Sequence, residues 1–292
     1  MNSLSRVVVL THELDDFEGS GYLMPHIARV WRERGIEVVV HRGLGTPPDA
    51  DAAVMHVDLT RVPREYAAVC ARYPVTINGG ALDISKRAVS RDIVSRADGY
   101  DGPVIVKTDR NCGGLKEAQL ARASGLVRRC VRSVHRRLPW YLRAELGGKA
   151  YRVYQSAREV PLAAWYNPAL VVEKYLMERH DGFNWLRSWH FFGDRDTMSL
   201  RWSTHEIVAV PHLAGTKLIE PDVPEDLRAR RRELGFDFGK FDFAIVDGRA
   251  VLYDANRTPT NTSLSREALW EQASLLADGL DAMVREVGAG AR

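Results

Sequence analysis

A short turn near the end of the sequence determines how two strands must pair. The segments KFDFAIV and RAVLYDAN, residues 240–246 and 249–256, are apolar strand patterns that flank Asp247 and Gly248. This dipeptide strongly favours the tight turn of a β-hairpin, because both turn positions need a positive φ that these two residues adopt readily. We therefore expect the two segments to form an antiparallel hairpin.

The hairpin brings three oxygen-bearing side chains together at its open end. Counted from the turn, Asp242 and Asp254 fall nearly opposite each other, and Asn256 lies two residues beyond Asp254 on the same strand face. Two carboxylates and an amide suit a hard cation such as Mg²⁺, whereas a carboxylate pair without a cation would repel. The alternatives are an Asx turn that closes the hairpin and a solvated hairpin end with unrelated acids.

The composition is that of an ordinary globular protein. The chain has 292 residues, of which 45% are hydrophobic and 27% are charged, and this length allows a sizeable core. Its three cysteines show no C-x-x-C spacing, which argues against a disulfide framework or a zinc site. No apolar run has the length of a signal peptide or a membrane span, so we expect a cytoplasmic protein with no membrane partner.

One segment of the chain is strongly basic. Residues 115–152 contain ten lysines and arginines against two glutamates, in a chain whose net charge is +3. In the helix expected over about residues 115–138, Arg128, Arg132 and Arg136 share one face. This face binds an anionic co-substrate, binds nucleic acid or is simply solvated. The segment has no aromatic platform, which argues against nucleic acid.

The first part of the chain alternates strand and helix patterns. The strand patterns are RVVVLT, EVVVH, AAVMHV and PVTIN, and their alternation with helices predicts a parallel, helix-covered sheet. The loop DDFEGSGY lacks the third glycine of a dinucleotide-binding site, so no Rossmann cofactor site is expected. Residues 83–98 are predicted to form a helix with Asp83 or Ser85 as its N-cap.

Five later segments, taken in order, resemble the ATP-grasp superfamily. PVIVK is a strand that ends at Lys107, and the small-residue loop TDRNCGG follows it. The five segments are INGGALDISKRAVSRDIV, PVIVKTDRNCGG, VVEKYL, FDFAIVDG and LYDANRTP. The resemblance covers about residues 77–259, and the first 76 residues fit the α/β unit that precedes the nucleotide-binding lobes in this family.

The resemblance implies an ATP-grasp architecture of the α/β class. An N-terminal Rossmann-like parallel α/β unit would be followed by two α+β lobes that clasp the nucleotide. The implied boundaries are residues 1–88 for the N-terminal unit, 89–175 for a lid lobe and 176–292 for the lobe with the metal site.

The resemblance also implies which residues hold the nucleotide. Lys107 would contact its phosphates, and Asp181 or Glu178 would accept hydrogen bonds from the ribose, with Asp181 favoured by its spacing from the hinge strand. The adenine edge would be read by the backbone of that hinge strand, namely Glu173, Lys174, Tyr175 and Leu176.

Further implied roles concern the metal and the reacting groups. Arg201 and Arg257 would stabilise an acyl phosphate, and the metal ligands would be Asp242, Asp254 and Asn256. The sequence departs from the family pattern in three places: Asp254 stands where glutamate is usual, Thr260 stands where glycine is usual, and the loop after Lys107 has only two glycines before a basic helix in place of the usual short hairpin. The shorter carboxylate reduces the reach toward the metal by one methylene.

The implied activity is that of an ADP-forming carboxylate–amine ligase that uses ATP and Mg²⁺, with Mn²⁺ as a substitute. Its partners would be a small-molecule carboxylate and a small-molecule amine, with no nucleic acid, and a homo-oligomer is left open. The alternatives are an ATP-grasp kinase and a nucleotide-binding protein without turnover. A third, suggested by GSGYLMPHIARVWRERGIEVVVH, is a nucleotide-sugar glycosyltransferase with a second Rossmann half.

Overall fold

The computed structural model describes residues 4–120, 137–146, 151–260 and 264–290. The strands of these residues form three sheets. In the described part of the chain, no helix has both the length and the apolar character needed to cross a membrane. Of the residues predicted to form the basic helix, Leu115–Leu120 form one, and Arg128, Arg132 and Arg136 lie outside the described residues.

The first sheet is the parallel sheet that the sequence predicts. Its four strands have the spatial order β2-β1-β3-β4 and all pair in parallel. The strands are β1 (Arg6–Thr11), β2 (Glu37–Arg42), β3 (Ala52–Met55) and β4 (Val75–Ile77). Helix α1 (Met24–Glu33) follows β1, and helix α2 (Arg64–Cys70) follows β3.

The second sheet is small and antiparallel, with the order β6-β5-β7. Its strands are β5 (Val104–Thr108), β6 (Arg152–Tyr154) and β7 (Leu170–Lys174). Three short helices lie before or between its strands in sequence, namely α3 (Lys86–Val89), α4 (Leu115–Leu120) and α5 (Leu162–Trp165).

The helix predicted over residues 83–98 is wrong beyond its first turn. Ser85 caps α3 by accepting a hydrogen bond from the Ala88 N–H, but Ser90 is already extended. The chain then runs beside β7, where the Val94 N–H donates to Val172 O at 2.9 Å and the Lys174 N–H donates to Asp92 O at 2.8 Å. Pairing with a distant strand has replaced the local helix.

The third sheet has six strands and is antiparallel, with the order β11-β10-β9-β12-β13 and with β8 paired to β9. Its strands are β8 (Glu178–His180), β9 (Phe183–Phe192), β10 (Arg195–Ser203), β11 (Gly215–Ile219), β12 (Phe238–Val246) and β13 (Arg249–Asn256). Helix α6 (Glu225–Glu233) lies between β11 and β12 in sequence. The glycosyltransferase alternative required a second parallel Rossmann half here, so that alternative is wrong.

The hairpin predicted from the turn dipeptide is confirmed. Strands β12 and β13 pair across the turn, with Val246 opposite Arg249. Asp247 and Gly248 have φ values of 50° and 76°, as the tight turn requires.

The C-terminal helix α7 (Arg266–Gly290) joins the first and third sheets. Trp31 of α1 donates its indole N–H to Ala277 O at 3.1 Å, and Phe192 of β9 belongs to the same buried cluster. Helix α7 thus follows the third sheet in sequence but packs on the N-terminal unit. The domain boundaries near residues 88 and 175 stay a prediction.

Candidate functional site

A cavity of about 150 Å³ lies between the second and third sheets. Six of the sequence-predicted site residues line it, namely Lys107, Lys174, Tyr175, Leu176, Asp242 and Asp254. The pattern of the sequence did not identify several other lining residues, among them Lys86, Tyr151, Glu206 and Tyr253.

The strand register places the two candidate metal-binding carboxylates face to face. Asp242 lies directly opposite Asp254, and Lys240 lies directly opposite Asn256. All four residues therefore share one face of the β12–β13 hairpin. Among the described residues, no group of three or more His, Cys, Asp or Glu side chains converges, so the donor set here is two carboxylates and one amide.

Two cations hold the Asp242 carboxylate. The Arg201 Nη2 lies 2.9 Å from its Oδ1, and the Lys240 Nζ lies 2.8 Å from its Oδ2. The Ser188 hydroxyl also donates to Oδ1, at 2.5 Å. Burial alone would raise the pKa of Asp242, but the charges of Lys240 and Arg201 hold it well below its usual range. Asp242 is therefore a carboxylate at every physiological pH.

A third cation holds Asp254. The ammonium of Lys86, whose side chain is 2% exposed, bonds to Asp254 Oδ1, whereas the Asp254 side chain is 34% exposed. Burial alone would lower the pKa of Lys86, but the attraction of Asp254 raises it. The site thus holds three basic side chains around two carboxylates and has an excess of positive charge.

A β-bulge brings one more side chain to the cavity. The register of β12 and β13 shifts between Asp242 and Phe243, which leaves an extra residue on β13. As a result the sequence neighbours Tyr253 and Asp254 both line the cavity. The Tyr253 hydroxyl donates to Leu176 O, and the Lys107 ammonium lies 5.5 Å from the centre of its ring.

Lys107 is held in place by Glu173 of the neighbouring strand. The two side chains form a buried ion pair of 2.7 Å, and Glu173 Oε1 is buried with no hydrogen-bond partner among the described residues. The backbone of Glu173 pairs with Ile105 on one side and with Ile93 on the other. The prediction that the Glu173 backbone reads a base is therefore corrected, because that backbone is used in strand pairing.

The hinge offers fewer free backbone groups than the sequence implied. The N–H groups of Lys174 and Tyr175 donate to Asp92 O and Pro103 O, each at 2.8 Å. Within the described ranges the Leu176 N–H has no partner. Any recognition by a hinge N–H therefore rests on Leu176.

Neither of the two acids predicted for the ribose lines the cavity. Asp181 is exposed in the turn between β8 and β9, where its φ of 50° serves the turn. Glu178 is buried and accepts from Arg187 at 2.6 Å and from the Ile245 N–H at 2.9 Å. The assignment of Asp181 is corrected for this reason. The third carboxylate that lines the cavity, besides Asp242 and Asp254, is Glu206.

The two predicted catalytic arginines have different surroundings. Arg201 lies at Asp242, and its Nε is buried without a partner in the part of the chain that the structure describes. Arg257 is fully buried and donates to three backbone carbonyls, those of Val57, Leu59 and Ala81. Its catalytic assignment is corrected, because these bonds use the guanidinium to hold the backbone.

The sequence left open whether Asn256 closes an Asx turn or binds a metal, and its position allows both. Its Oδ1 accepts from the Thr258 N–H at 2.9 Å, which is an Asx turn. The residue still shares a strand face with Asp254. The metal-ligand role of Asn256 stays a prediction.

The loop after Lys107 is anchored to the N-terminal unit. Cys112 and Gly113 have φ values of 46° and 69°, a conformation that glycine adopts readily because it has no Cβ. The Asn111 N–H donates to the Thr60 hydroxyl at 2.9 Å, and the Glu117 carboxylate accepts from the Thr60 N–H at 2.9 Å. The loop is thereby positioned beside the cavity.

Some of the missed residues had a sequence signal. Lys240 lies two residues before Asp242, so the period-2 rule that paired Asp254 with Asn256 also applies to it. Lys86 follows the N-cap residue Ser85 in the segment DISKRAV. Tyr253 had no such signal, because the alternation alone places it on the opposite face from Asp254.

Comparisons with known proteins identify structures but no sequence family. No family profile and no curated protein sequence matches the chain. Among solved structures, D-cycloserine synthetase DcsG superposes with a TM-score of 0.52 and 14% identity over 94% of this chain and 100% of that one. The ATP-grasp ligase PsnB complexed with minimal precursor has a TM-score of 0.51 and 13% identity over 96% of this chain and 99% of that one. The similarity spans nearly the whole chain, and at this identity it shows a shared fold.

Proposed function

We propose that this protein, whose fold is the ATP-grasp fold, is an ATP- and Mg²⁺-dependent ligase that joins a carboxylate to an amine. The observation that carries the proposal is the arrangement at the cavity. Two facing carboxylates, Asp242 and Asp254, are surrounded by the cations Lys86, Lys240 and Arg201. Such a site matches a ligand that is itself a metal–polyphosphate complex.

The residues present fit a magnesium ion. Asp242, Asp254 and Asn256 supply hard oxygen donors on one strand face. The cations now paired with the two carboxylates compensate charge that a metal would otherwise neutralise. When bound, Mg²⁺ would neutralise charge on the β- and γ-phosphates. A structure of the ATP-grasp ligase PsnB contains minimal precursor, Mg and ADP, and this supports the choice of metal.

Lys107 and Lys86 are the proposed phosphate contacts. Glu173 fixes Lys107 at the end of β5, and Lys86 reaches the cavity from α3. The buried Glu173 Oε1 and Arg201 Nε lack partners within the described ranges, which supports a polar ligand beside them. A phosphate oxygen can accept from an ammonium that also bonds a carboxylate, since the ammonium has three N–H donors.

The base is proposed to lie against the apolar end of the cavity. Leu186, Ile207 and Val208 line that wall, and the Leu176 N–H faces no partner in the described residues. A flat base would bury its faces on these side chains and accept from Leu176. We propose Glu206 as the acceptor for the ribose hydroxyls, because it is the third carboxylate that lines the cavity.

The proposed reaction has two balanced steps. A substrate carboxylate oxygen attacks the γ-phosphorus, the bond to the β-phosphate oxygen breaks, and ADP leaves with that electron pair. The amine nitrogen then attacks the acyl carbon, the carbon–oxygen bond to phosphate breaks, and the amine loses a proton. Arg201 and Lys240 hold positive charge beside Asp242, where they can stabilise the oxygens that gain charge in both steps.

An ADP-release assay across carboxylates and amines, with product masses, tests this proposal. A ligase gives ADP, phosphate and a product whose mass is that of the two substrates less one water. ADP with a phosphorylated carboxylate or alcohol, stable without amine, would instead show a kinase. Nucleotide binding without any ADP release would show a binding protein.

A further inference from the structure

Asp58, in the loop after β3, contacts the segment that carries the candidate metal ligand Asn256. Its Oδ1 accepts from the Thr258 hydroxyl at 2.8 Å. Its Oδ2 accepts from the Tyr22 hydroxyl at 2.9 Å, and the Lys116 ammonium lies 3.8 Å from the same oxygen. Asp58 therefore joins the N-terminal unit to the end of β13.

Among the described residues, the Thr258 hydroxyl has two acceptors within reach for its one proton. Asp58 Oδ1 lies at 2.8 Å, and Asn256 Oδ1 lies at 3.3 Å. A carboxylate is a stronger acceptor than an amide oxygen, and the shorter distance agrees with this preference. The proton therefore goes to Asp58.

The acceptor of the Thr258 hydroxyl proton determines how many lone pairs of the Asn256 amide oxygen can bind a metal. Its amide oxygen has two lone pairs, and the Thr258 N–H occupies one of them at 2.9 Å. If the Thr258 hydroxyl also donated to it, both lone pairs would be used. With the hydroxyl proton on Asp58, one lone pair stays available for a metal.

Arg257 fixes the loop that carries Asp58 against the end of β13. Arg257 is fully buried and donates to Val57 O at 3.3 Å and to Leu59 O at 2.6 Å, on the two sides of Asp58. The carboxylate thus faces Thr258 in a fixed position. This holding role also explains why Arg257 is buried although it follows Asn256 directly.

We propose that Asp58 is a positioning residue for metal binding: it draws the Thr258 hydroxyl proton away from Asn256 and so keeps the amide oxygen free to bind the cation. The inference rests on the proposed function, because it assumes that Asn256 is a metal ligand. Asp58 itself touches neither the metal nor the substrate in this scheme.

The chain offers a matched control in Asp15. This buried acid also accepts from the Tyr22 hydroxyl, at 3.1 Å, and pairs with the Lys116 ammonium at 2.8 Å. Its bonds within the described residues include none to Asn256 or Thr258. Asp15→Asn therefore disturbs the shared Tyr22 and Lys116 contacts without changing where the Thr258 proton goes.

The test measures binding of Mn²⁺ to the full chain by electron paramagnetic resonance in the presence of ADP, with no turnover required. Asp58→Ala is expected to raise the Kd for Mn²⁺ about tenfold, the size found when a hydrogen-bond partner behind a metal ligand is removed. Thr258→Val added to Asp58→Ala should restore the wild-type Kd, because the competing hydroxyl is gone. Asp15→Asn and Thr258→Val alone should leave it unchanged.

Asp58→Asn gives a second route if Asp58→Ala does not fold. Its amide oxygen still competes for the hydroxyl but more weakly, so we expect a smaller rise in Kd that Thr258→Val again reverses. A folded Asp58→Ala variant with wild-type Mn²⁺ affinity would overturn this inference but not the proposed function. So would a loss that Thr258→Val fails to restore. A wild-type chain that binds no Mn²⁺ with ADP would overturn the proposed function as well.

Discussion

Asp254 and Lys86 form an ion pair in which the two partners differ in exposure. Lys86 is buried, and a third of the Asp254 side chain is open to solvent. Removal of the carboxylate charge would leave a buried ammonium with a neutral partner, which costs stability. The open side of Asp254 faces the cavity, where a cation can approach it.

Replacement of Asp254 by asparagine tests the metal site at this residue. Asp254→Asn is expected to lower the rate of ADP release by about two or more orders of magnitude, because the metal supplies several kcal/mol of stabilisation. Asp194→Asn is the matched control, since Asp194 is exposed in the turn between β9 and β10. Unchanged ADP release by a folded Asp254→Asn variant would rule out the metal assignment.

His56 is a buried residue whose protonation should govern acid stability. Both of its ring nitrogens are buried with no partner among the residues that the structure describes, and its ring packs edge-on against Phe17 and Tyr22. Burial, and then the charges of Arg257 and Lys116, lowers the pKa of His56 to about 3. The folded protein therefore keeps this histidine neutral where the unfolded chain would protonate it.

The pH dependence of unfolding follows from this difference. The unfolded histidine binds a proton near pH 6.5, so the stability contribution is fully present above that pH and is lost as the pH falls toward 3. At pH 5 the loss should reach about 2 kcal/mol. Denaturant unfolding at pH 7 and pH 5 measures it. His56→Leu should remove this loss, whereas His205→Gln, at an exposed histidine, should keep it.

At the scale of the element, the bulged hairpin β12–β13 connects the metal site with the hinge. The bulge turns Tyr253 toward the cavity, and its hydroxyl bonds to the carbonyl of Leu176. The end of β13 therefore carries both the candidate metal ligand Asp254 and Tyr253, which supports the hinge segment where the base would bind.

Tyr253→Phe isolates the support of the hinge. The ring stays, but the bond to Leu176 is lost, so the KM for MgATP should rise about three- to tenfold, as expected for one hydrogen bond. The kcat should change little, because Asp242 and Asp254 are untouched. Tyr166→Phe is the control, at a tyrosine that is 71% exposed. A fall in kcat with an unchanged KM would contradict the proposed position of the base.

At the scale of the whole molecule, Asn78 connects the first and third sheets. It is fully buried at the end of β4, with a φ of 63°. Its side-chain amide donates to Phe238 O at 2.8 Å and accepts from the N–H groups of Asp237 and Phe238 at 2.9 and 3.0 Å. These bonds satisfy the backbone at the start of β12, the strand that carries Asp242.

Substitution of Asn78 should loosen the connection between the two sheets. Asn78→Ala is expected to lower the free energy of unfolding by about 2–4 kcal/mol, because buried backbone groups lose their partners. Asn78→Gly should cost about 1 kcal/mol less, because glycine adopts the positive φ without strain. Denaturant unfolding compares the two. If both variants lose the same free energy of unfolding, the positive φ at this position does not destabilise the alanine variant.

Local rules in the sequence determined much of the metal face. The turn at Asp247 and Gly248 determined that these two strands pair, and the period-2 alternation placed Asp254 and Asn256 on one face. The alternation of strands and helices likewise predicted the parallel first sheet. These features depend only on residues close to one another in sequence, so a pattern can reveal them. A regular two-residue turn would place Tyr253 opposite Asp242, and Asp254 lies there only because the bulge shifts the register.

The tertiary structure decided what depends on contacts between distant segments. Residues 90–94 run beside β7 and not in a helix, because strand pairing replaced the local preference. Arg257 is buried, since carbonyls of the N-terminal unit accept its N–H groups, and Asp181 is left in an exposed turn. Lys86 meets Asp254 across 168 positions of the chain. No local periodicity encodes such a contact, because it exists only when the sheets are packed together.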